Sequence, residues 1–473
     1  MKLLKILIFC YIQFPFLDSE CSAQNIRRLT FLTQPPDIPD NQNLPPIQVA
    51  VVDADGNIIT EASDTISLAL QSLSGNAVLL GGTTSTAVNG VAEFSELSTS
   101  GAGTFRLVAH KPIRLISRWS EEGTYNPDFP IYTDVWGEGA FAYVGRWQPG
   151  GVSIIDLSNP EKPALAHHWH PEGPNNLYKD IKTQNGIGYF ASDNGGGVTI
   201  VDLTDPYNPV DLAVITSQHE GYDNVHNLFI DGDFLYLASS RVPQFAVFNV
   251  SNPSRSVFIR KISSNYLPPI HDITVQGGLL FTSSLGQSRG YTEIFDVSAI
   301  EETYTRLGGF ESGVSTHSNW PTDNLHYLAI SLESEGETVS IWDVSNPAQP
   351  SPVQTLSPLS LDTPPFSPHN PVIADDRLYV AWYQAGLQVY DISDPENTRL
   401  VGFYDTYPQP GSSGFNGDWG VYPFFGANLV LASDTRNGLF ILDTSSADTE
   451  IVLSNSFQAA PTASIPQPFW LMQ

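Results

Sequence analysis

The chain has 473 residues, of which 21 are basic and 50 are acidic, and its formal net charge is −29. The length exceeds that of one compact core and predicts at least two domains. The acidic excess argues against nucleic-acid binding, because no cluster of Lys and Arg is available to neutralise phosphates. Hydrophobic residues make up 41% of the chain, which indicates a folded protein. No stretch after the N-terminus is long and apolar enough to span a membrane, and we expect a monomer.

Residues 1–23 have the composition of a secretory signal peptide. Two lysines precede an apolar run, and Cys21 and Ala23 place small residues at the −3 and −1 positions of a cleavage site. Cys21 is also compatible with a lipoprotein signal, an alternative that the acidic residues just before it disfavour. Since Cys10 and Cys21 are the only cysteines, the mature chain would contain none. The sequence therefore predicts a secreted protein, extracellular or on the cell surface.

Residues 29–110 contain short runs of alternating apolar and polar residues, separated by Gly, Asn, Asp and Ser. The clearest runs are 47–52, 66–70, 91–94 and 104–108. Several short strands at this spacing predict a β-sandwich.

Residues 113–457 are organised by a segment that recurs seven times, with 46 to 52 residues from one copy to the next. Each copy is a run of alternating apolar residues that ends in Asp or Asn and continues into a turn, so it predicts a strand. A repeat of this length suits one four-stranded blade, and seven copies predict a seven-bladed β-propeller. The shared polar residue is Asp156, Asp202, Asn249, Asp296, Asp343, Asp391 and Asp443.

The two ends of this region are predicted to share one blade. The run 113–119 resembles the strand that follows each repeat turn, so we expect it to supply the outermost strand of the last blade and to close the ring. Residues 458–473 are predicted to be a loose C-terminal tail. The repeat Asp itself is expected to cap its turn through local backbone hydrogen bonds.

A second position recurs 21 to 25 residues before each repeat Asp or Asn, where a short polar element opens the first strand of the blade. It is occupied by Asp134, Asp180, Asn227, Asp272, Ser318, Asn370 and Asp418. The residue just before it is His in four consecutive repeats, namely His226, His271, His317 and His369. Because the first strand of every blade faces the central channel of a propeller, these side chains should form a ring at one mouth of that channel.

Three interpretations of this ring remain open. The side chains could form a hydrogen-bonded network between blades. They could bind a polar ligand or a divalent metal, with the four histidines as candidate metal ligands. They could also act as acid–base groups. The candidate ligand-binding residues are His226, Asn227, His271, Asp272, His317, His369, Asn370, Asp134, Asp180 and Asp418.

The repeat region resembles the LVIVD-repeat β-propellers, and more closely the group called choice-of-anchor B proteins. The resemblance rests on YTDVWG, YKDIKT, THSNWPTDN and VGFYDTYPQPGSSGFNGDWGVYPFF, and it extends from about residue 113 to 445. It implies a secreted or surface-attached propeller without a settled biochemical activity. The segments PIQVAVVDADGNIIT and AVNGVAEFSELSTSGAGTFRLVA resemble bacterial immunoglobulin-like modules.

Two functions are therefore in competition. The first is a binding or scaffold protein for a protein, glycan or small ligand, and it agrees with the absence of G-x-S-x-G, H-E-x-x-H and phosphate-loop motifs from the sequence. The second is an extracellular metal-dependent enzyme, a hydrolase or oxidoreductase, with a His-lined site in the channel. No catalytic residue is predicted.

Overall fold

The computed structural model describes residues 27–75, 77–123, 125–171, 177–359, 366–408, 415–426 and 428–460. The predicted signal peptide and residues 461–473 lie outside this range. The described chain is almost entirely β-structure, and its two helical segments there are single 3-10 turns at Ser217–His219 and Pro395–Asn397. Neither turn has the length or the apolar character needed to cross a membrane.

Two sheets at the N-terminal end pack over a shared core that includes Leu29, Val49, Leu68 and Phe105. The packing follows from the alternation of the strands. In the first half of Thr65–Gly75, every second side chain points into that core. One sheet has the order Thr449–Glu450, Arg27–Phe31, Ile47–Val52, Val91–Phe94. The other has the order Ile38–Pro39, Phe457–Ala460, Gly103–His110, Thr65–Gly75, Thr84–Thr86, and Val452–Leu453 also pairs with Gly103–His110. A separate pair joins Val78–Leu80 and Ser98–Ser100.

The end of the chain differs from the prediction. The propeller was expected to extend to residue 457, with a loose tail from 458. Instead, Thr449–Glu450 pairs in parallel with Arg27–Phe31, and Phe457–Ala460 pairs with Gly103–His110. The physical reason is burial, because Phe457 and Ala459 are almost fully enclosed in the core of the N-terminal sheets.

Between these parts, within the described residues, seven four-stranded antiparallel sheets follow one another. We number them in chain order and give their strands from first to fourth. Sheet 1 is Tyr132–Glu138, Phe141–Arg146, Val152–Asp156, Ala164–Trp169, and sheet 2 is Tyr178–Gln184, Ile187–Ser192, Val198–Asp202, Val210–Ile215. Sheet 3 is Asn227–Asp231, Phe234–Ala238, Gln244–Asn249, Val257–Ser263, and sheet 4 is Ile270–Gln276, Leu279–Ser284, Gly290–Asp296, Thr305–Gly313. Sheet 5 is Thr316–Pro321, Tyr327–Leu332, Val339–Asp343, Ser351–Leu356, and sheet 6 is Pro371–Ala374, Arg377–Trp382, Gly386–Asp391, Arg399–Tyr404. Sheet 7 is Asp418–Tyr422, Leu429–Asp434, Gly438–Asp443, and its fourth strand is Arg114–Trp119.

The recurring segment is the third strand of every sheet. Its alternation sends side chains to opposite faces, and each face packs against a different neighbouring sheet. In sheet 1, Val152 and Ile154 pack against sheet 2, whereas Ile155 packs against sheet 7. The predicted turn cap is confirmed, since in all seven sheets the side-chain oxygen of the repeat Asp or Asn accepts a hydrogen bond from the backbone N–H two residues on, at 2.7–3.0 Å.

The sheets close into a ring. First strands of consecutive sheets contact each other, and the first strand of sheet 7 contacts that of sheet 1. Arg114–Trp119 pairs with Gly438–Asp443, which confirms the predicted use of this strand as the outer edge of the last sheet. The arrangement is that of a β-propeller, with the first strands around a central channel.

Candidate functional site at the channel mouth

In five of the seven sheets the first strand begins with a shift in its pairing register. In sheets 4 and 5, the pairing register shifts between Ile270 and Asp272 and between Thr316 and Ser318, so His271 and His317 are the extra residues of β-bulges. A bulge turns the extra residue out of the regular ladder. Here it directs the imidazoles to the channel mouth, where both line the opening.

The same irregularity corrects the prediction for the last repeat. In sheet 7 the register shifts between Asp418 and Gly420, which makes Trp419 the equivalent of the histidines. Trp419 lines the mouth, whereas Asp418 is fully buried and does not. The sequence alignment had matched Asp418 with polar residues such as Asp272, whereas the strand pairing makes Gly420 the equivalent of Asp272.

The structure brings the four predicted histidines into one row. Ring centroids lie 4.0 Å apart for His226 and His271, 4.3 Å for His271 and His317, and 4.3 Å for His317 and His369. The last three are buried and His226 is partly buried. We call these four imidazoles, each in contact with the next at one mouth of the channel, the histidine row.

Both ends of the histidine row are fixed by hydrogen bonds. His226 Nδ1 lies 3.0 Å from the Asp193 carboxylate, which also pairs with Lys179 at 3.0 Å. His369 Nδ1 lies 2.5 Å from the Trp419 carbonyl oxygen, so this nitrogen carries the proton and donates. Since Nδ1 of both rings is engaged in this way, the free nitrogen of each is Nε2.

A carboxylate lies beside the row at its other end. Glu333 oxygens lie 3.6 Å from His317 Nε2 and 3.7 Å from His369 Nε2, and the Tyr383 hydroxyl donates to Glu333 at 2.7 Å. Sequence reasoning missed these residues and Asp193. Asp193, Glu333 and Tyr383 each directly follow the second strand of their sheet, an edge that antiparallel pairing places beside the start of the first strand. Their shared position directly after a second strand was the sequence signal that could have revealed these three residues.

Burial and the charges around the row lower the pKa of all four imidazoles. Burial, followed by repulsion between neighbouring imidazoles, lowers the pKa of His271, His317 and His369 well below the ordinary value. Burial and the Lys179 charge lower the pKa of His226, although Asp193 opposes them. Burial alone would raise the pKa of Asp193, but His226 and Lys179 lower it to about 2.

Above the histidine row lies a cavity of about 590 Å³. Its floor is the row itself, and the Glu333 carboxylate also lines it. The walls carry aromatic rings and two cations, contributed by Phe129, Trp147, Lys179, Tyr383, Phe415, Trp419 and Arg436.

One wall of the cavity is the segment 127–130. The Gln148 amide nitrogen donates to the carbonyl oxygens of Phe129 and Pro130 at 3.0 and 2.9 Å. Arg436 donates to the Asn126 and Pro127 carbonyl oxygens from the opposite side. Hydrogen bonds from both sides hold this wall in place without a core of its own.

Below the histidine row the channel narrows to a space of about 50 Å³. Here the residues after the His position bridge neighbouring sheets. Asp180 accepts from the Leu228 N–H at 2.7 Å, and Asn227 accepts from the Ile273 N–H at 3.0 Å and donates to Asp272 at 3.1 Å. For these residues the interpretation as an inter-blade network agrees with the geometry.

The remaining predicted residues also lie below the row. Asp134 receives a hydrogen bond from Lys182 at 3.2 Å, and Lys182 also contacts Asp180. Burial raises the pKa of Asp134 to about 8, with Lys182 opposing. Asn370 lines the narrow space, and its side-chain oxygen has no hydrogen-bond partner.

Comparison with known proteins identifies the repeat. Residues 132–169 and 372–406 match the model of the LVIVD repeat. The chain contains LVIVD repeats. No curated protein matches it.

Solved structures that resemble the LVIVD-repeat chain include the WD40 repeats of RRP9, with 12% identity over 70% of this chain and 97% of that one and a TM-score of 0.51. Hydrazine synthase of Kuenenia stuttgartiensis has 12% identity over 69% of this chain and 99% of that chain, with a TM-score of 0.53. The β-propeller domain of Cps50 (Swd1) from Myceliophteria thermophila has 14% identity over 70% and 99%, with a TM-score of 0.50. At these identities the likeness shows the β-propeller fold alone.

Proposed function

We propose that this protein is a secreted or cell-surface binding protein, in which a seven-bladed propeller of the choice-of-anchor B type, joined to an immunoglobulin-like module, holds a small ligand at the channel mouth. The observation that carries the proposal is the cavity of about 590 Å³ above the histidine row. Small-molecule sites span roughly 300–1,000 Å³ and combine apolar walls with a few convergent polar groups. The composition of residues 1–23 supports secretion.

Among the predicted ligand classes, this cavity favours a small molecule over a protein. A stable protein interface buries about 800 Å² on each partner, usually on a broad surface. Here the polar groups instead converge on the floor of a concavity, and aromatic rings stand around it. Rings such as Trp147 and Phe415 suit stacking against a flat ring. We therefore expect a saccharide or an aromatic acid of one or two rings.

The proposal can be tested with a panel of mono- and disaccharides and aromatic carboxylates, followed by thermal shift and by the fluorescence of Trp147 and Trp419. Phe415→Ala removes an aromatic wall residue that is 52% exposed, so the variant should fold normally. Phe424→Ala is the matched control, because Phe424 is 42% exposed and lies outside the cavity. Compounds that bind should lose about tenfold in affinity, about 1.4 kcal/mol, in Phe415→Ala alone. Absence of saturable binding, or equal affinity in both variants, would overturn the proposal.

The second candidate function, an extracellular metal-dependent hydrolase or oxidoreductase, is favoured by one observation. Two groups of three side chains could each hold a metal ion, His226 with His271 and His317, and His317 with Glu333 and His369. Mass spectrometry of the same panel after incubation with metal-loaded protein would reveal turnover. Unchanged compounds throughout would remove this candidate and leave the binding proposal intact.

A further inference from the structure

We propose that His317, Glu333 and His369 bind one divalent transition-metal ion at the floor of the channel-mouth cavity, with the ion's open coordination position facing the cavity. This inference deepens the proposed function, because it rests on the same cavity and names the group that a ligand would meet there. It also selects one of the two possible ligand groups.

The distances between possible ligand atoms fit the proposed group. In both groups the possible ligand atoms lie within 4.8 Å of one another. Around a tetrahedral ion with bonds near 2.0–2.1 Å, ligand atoms are about 3.3 Å apart. His317 Nε2 lies 3.6 Å from Glu333 Oε2 and His369 Nε2 lies 3.7 Å from Glu333 Oε1, and both distances are close to this value. Small side-chain rotations would complete the site.

Charge favours the same group. Glu333 supplies a carboxylate that offsets part of the charge of the ion, whereas the group of His226, His271 and His317 supplies only neutral imidazoles. Neutral imidazole is the form that binds a metal. His317 belongs to both groups, and a neutral imidazole has one lone pair to give. We therefore expect one ion per chain.

The supporting contacts are those of a metal ligand held in place. His369 Nδ1–H donates a hydrogen bond to the Trp419 carbonyl oxygen. This leaves Nε2, on the side of Glu333, free to coordinate the ion. Tyr383 donates to Glu333 at 2.7 Å and orients the carboxylate. His317 is buried, and its Nε2 faces the Glu333 carboxylate at 3.6 Å, which places this ring on the same side as His369.

The donor set also limits the ion. Two imidazoles and one carboxylate suit Zn²⁺, Fe²⁺, Co²⁺, Ni²⁺ or Cu²⁺, whereas Mg²⁺ and Ca²⁺ prefer oxygen ligands alone. Three protein ligands leave a fourth position for water or for an oxygen of the bound molecule. Among the compounds in the panel, those with a carboxylate or vicinal hydroxyls should therefore bind more tightly when metal is present.

The test uses the mature chain without an affinity tag, stripped with EDTA and titrated with Co²⁺ followed by its visible absorption, and with Zn²⁺ followed by elemental analysis. We expect one ion per chain and no competition from Mg²⁺ or Ca²⁺. His369→Ala should abolish binding, and Glu333→Gln, which keeps the shape of the side chain, should weaken it about a hundredfold. Tyr383→Phe should weaken it about tenfold, the usual effect of a lost supporting hydrogen bond. His226→Ala and the exposed control Glu311→Gln should stay within about threefold of wild type.

Thermal unfolding in EDTA separates loss of metal from loss of fold, since Glu333→Gln should melt within a few degrees of wild type. Absence of stoichiometric Co²⁺ and Zn²⁺ from folded wild type would overturn the inference. Binding that is lost in His226→Ala and kept in Glu333→Gln would overturn the choice of group. If the panel compounds still bind in EDTA while no metal binds, the metal inference fails and the proposed function stands. If a metal ion binds but no compound of the panel does, the metal inference stands and the proposed function fails.

Discussion

Replacing Lys182 with methionine removes the ammonium group that pairs with two carboxylates in the narrow part of the channel. Lys182 Nζ lies 3.2 Å from Asp134 and also contacts Asp180, and the three side chains are only 7%, 12% and 6% exposed. Methionine keeps most of the unbranched apolar stem, so the change is chiefly one of charge. Breaking a buried ion pair from one side costs about 3–5 kcal/mol.

The size of the loss depends on pH, because an abandoned carboxylate can take up a proton. Protonation costs about 1.4 kcal/mol for each pH unit above the ordinary pKa near 4, or about 4 kcal/mol at pH 7. Burial already raises the pKa of Asp134 to about 8, so this carboxyl adds little to the cost of protonation at pH 7. When the pKa of a carboxyl is higher in the folded than in the unfolded protein, the group stabilises the fold fully at a pH below its pKa in the unfolded chain. This stabilisation is lost as the pH rises through its pKa in the folded protein. We therefore expect a loss of about 3–4 kcal/mol at pH 7 and about 1–2 kcal/mol at pH 5.

Urea unfolding at both pH values, followed by tryptophan fluorescence, measures this loss. Lys162→Met is the control, because Lys162 is exposed and its replacement should change the free energy of unfolding by no more than about 0.5 kcal/mol. A loss below about 1 kcal/mol at pH 7 would refute the assignment of Lys182 as an essential counter-charge. An equal loss at pH 5 and pH 7 would refute the protonation argument.

Two further substitutions test other contacts. Burial would raise the pKa of Glu121, but hydrogen bonds from His168 and Arg146 lower it to about 2. The contribution of Glu121 to the free energy of unfolding is therefore present above its ordinary pKa of 4.5 and is lost as the pH falls towards 2. Glu121→Gln should therefore lower the free energy of unfolding by about 2 kcal/mol at pH 7, and urea unfolding should show the difference from wild type narrowing at pH 3. Phe457 is 1% exposed and its ring lies 6.1 Å from that of Phe105. Phe457→Ala should therefore lower the free energy of unfolding by about 3–5 kcal/mol and make the N-terminal sheets sensitive to limited proteolysis. Unchanged protection against the protease would contradict the role of this strand.

The sheets could be predicted because the third strand of each is buried on both faces. Runs such as 152–156 and 198–202 are apolar, regularly spaced and ended by a capping Asp, which is a strong local signal. The closing strand 114–119 was predictable for a different reason, because its sequence resembles that of the fourth strand of another sheet, Arg399–Tyr404. The C-terminal strands carry no such pattern. Phe457–Ala460 is short, and its partner Gly103–His110 is more than 300 residues earlier in the chain.

The candidate site was predictable only in part. The four histidines share one position in the repeat, so aligning the repeats revealed them. Glu333 and Asp193 could not be chosen from among 50 acidic residues by composition, since only the pairing of the second strand with the first brings them beside the imidazoles. Trp419 was missed because Asp418, just before it, resembles the polar residue that follows the His position in other repeats, and only the strand pairing reveals the one-residue offset.

The pairing of Arg27–Phe31 with Thr449–Glu450 has a consequence for biosynthesis. During synthesis, the first strand leaves the ribosome more than 400 residues before its parallel partner exists. The N-terminal sheets therefore cannot complete their hydrogen bonding until translation has passed the whole ring, and their unpaired edges stay available to the wrong partners in the meantime. We expect slow, late completion of this module and a need for chaperone protection of the nascent chain.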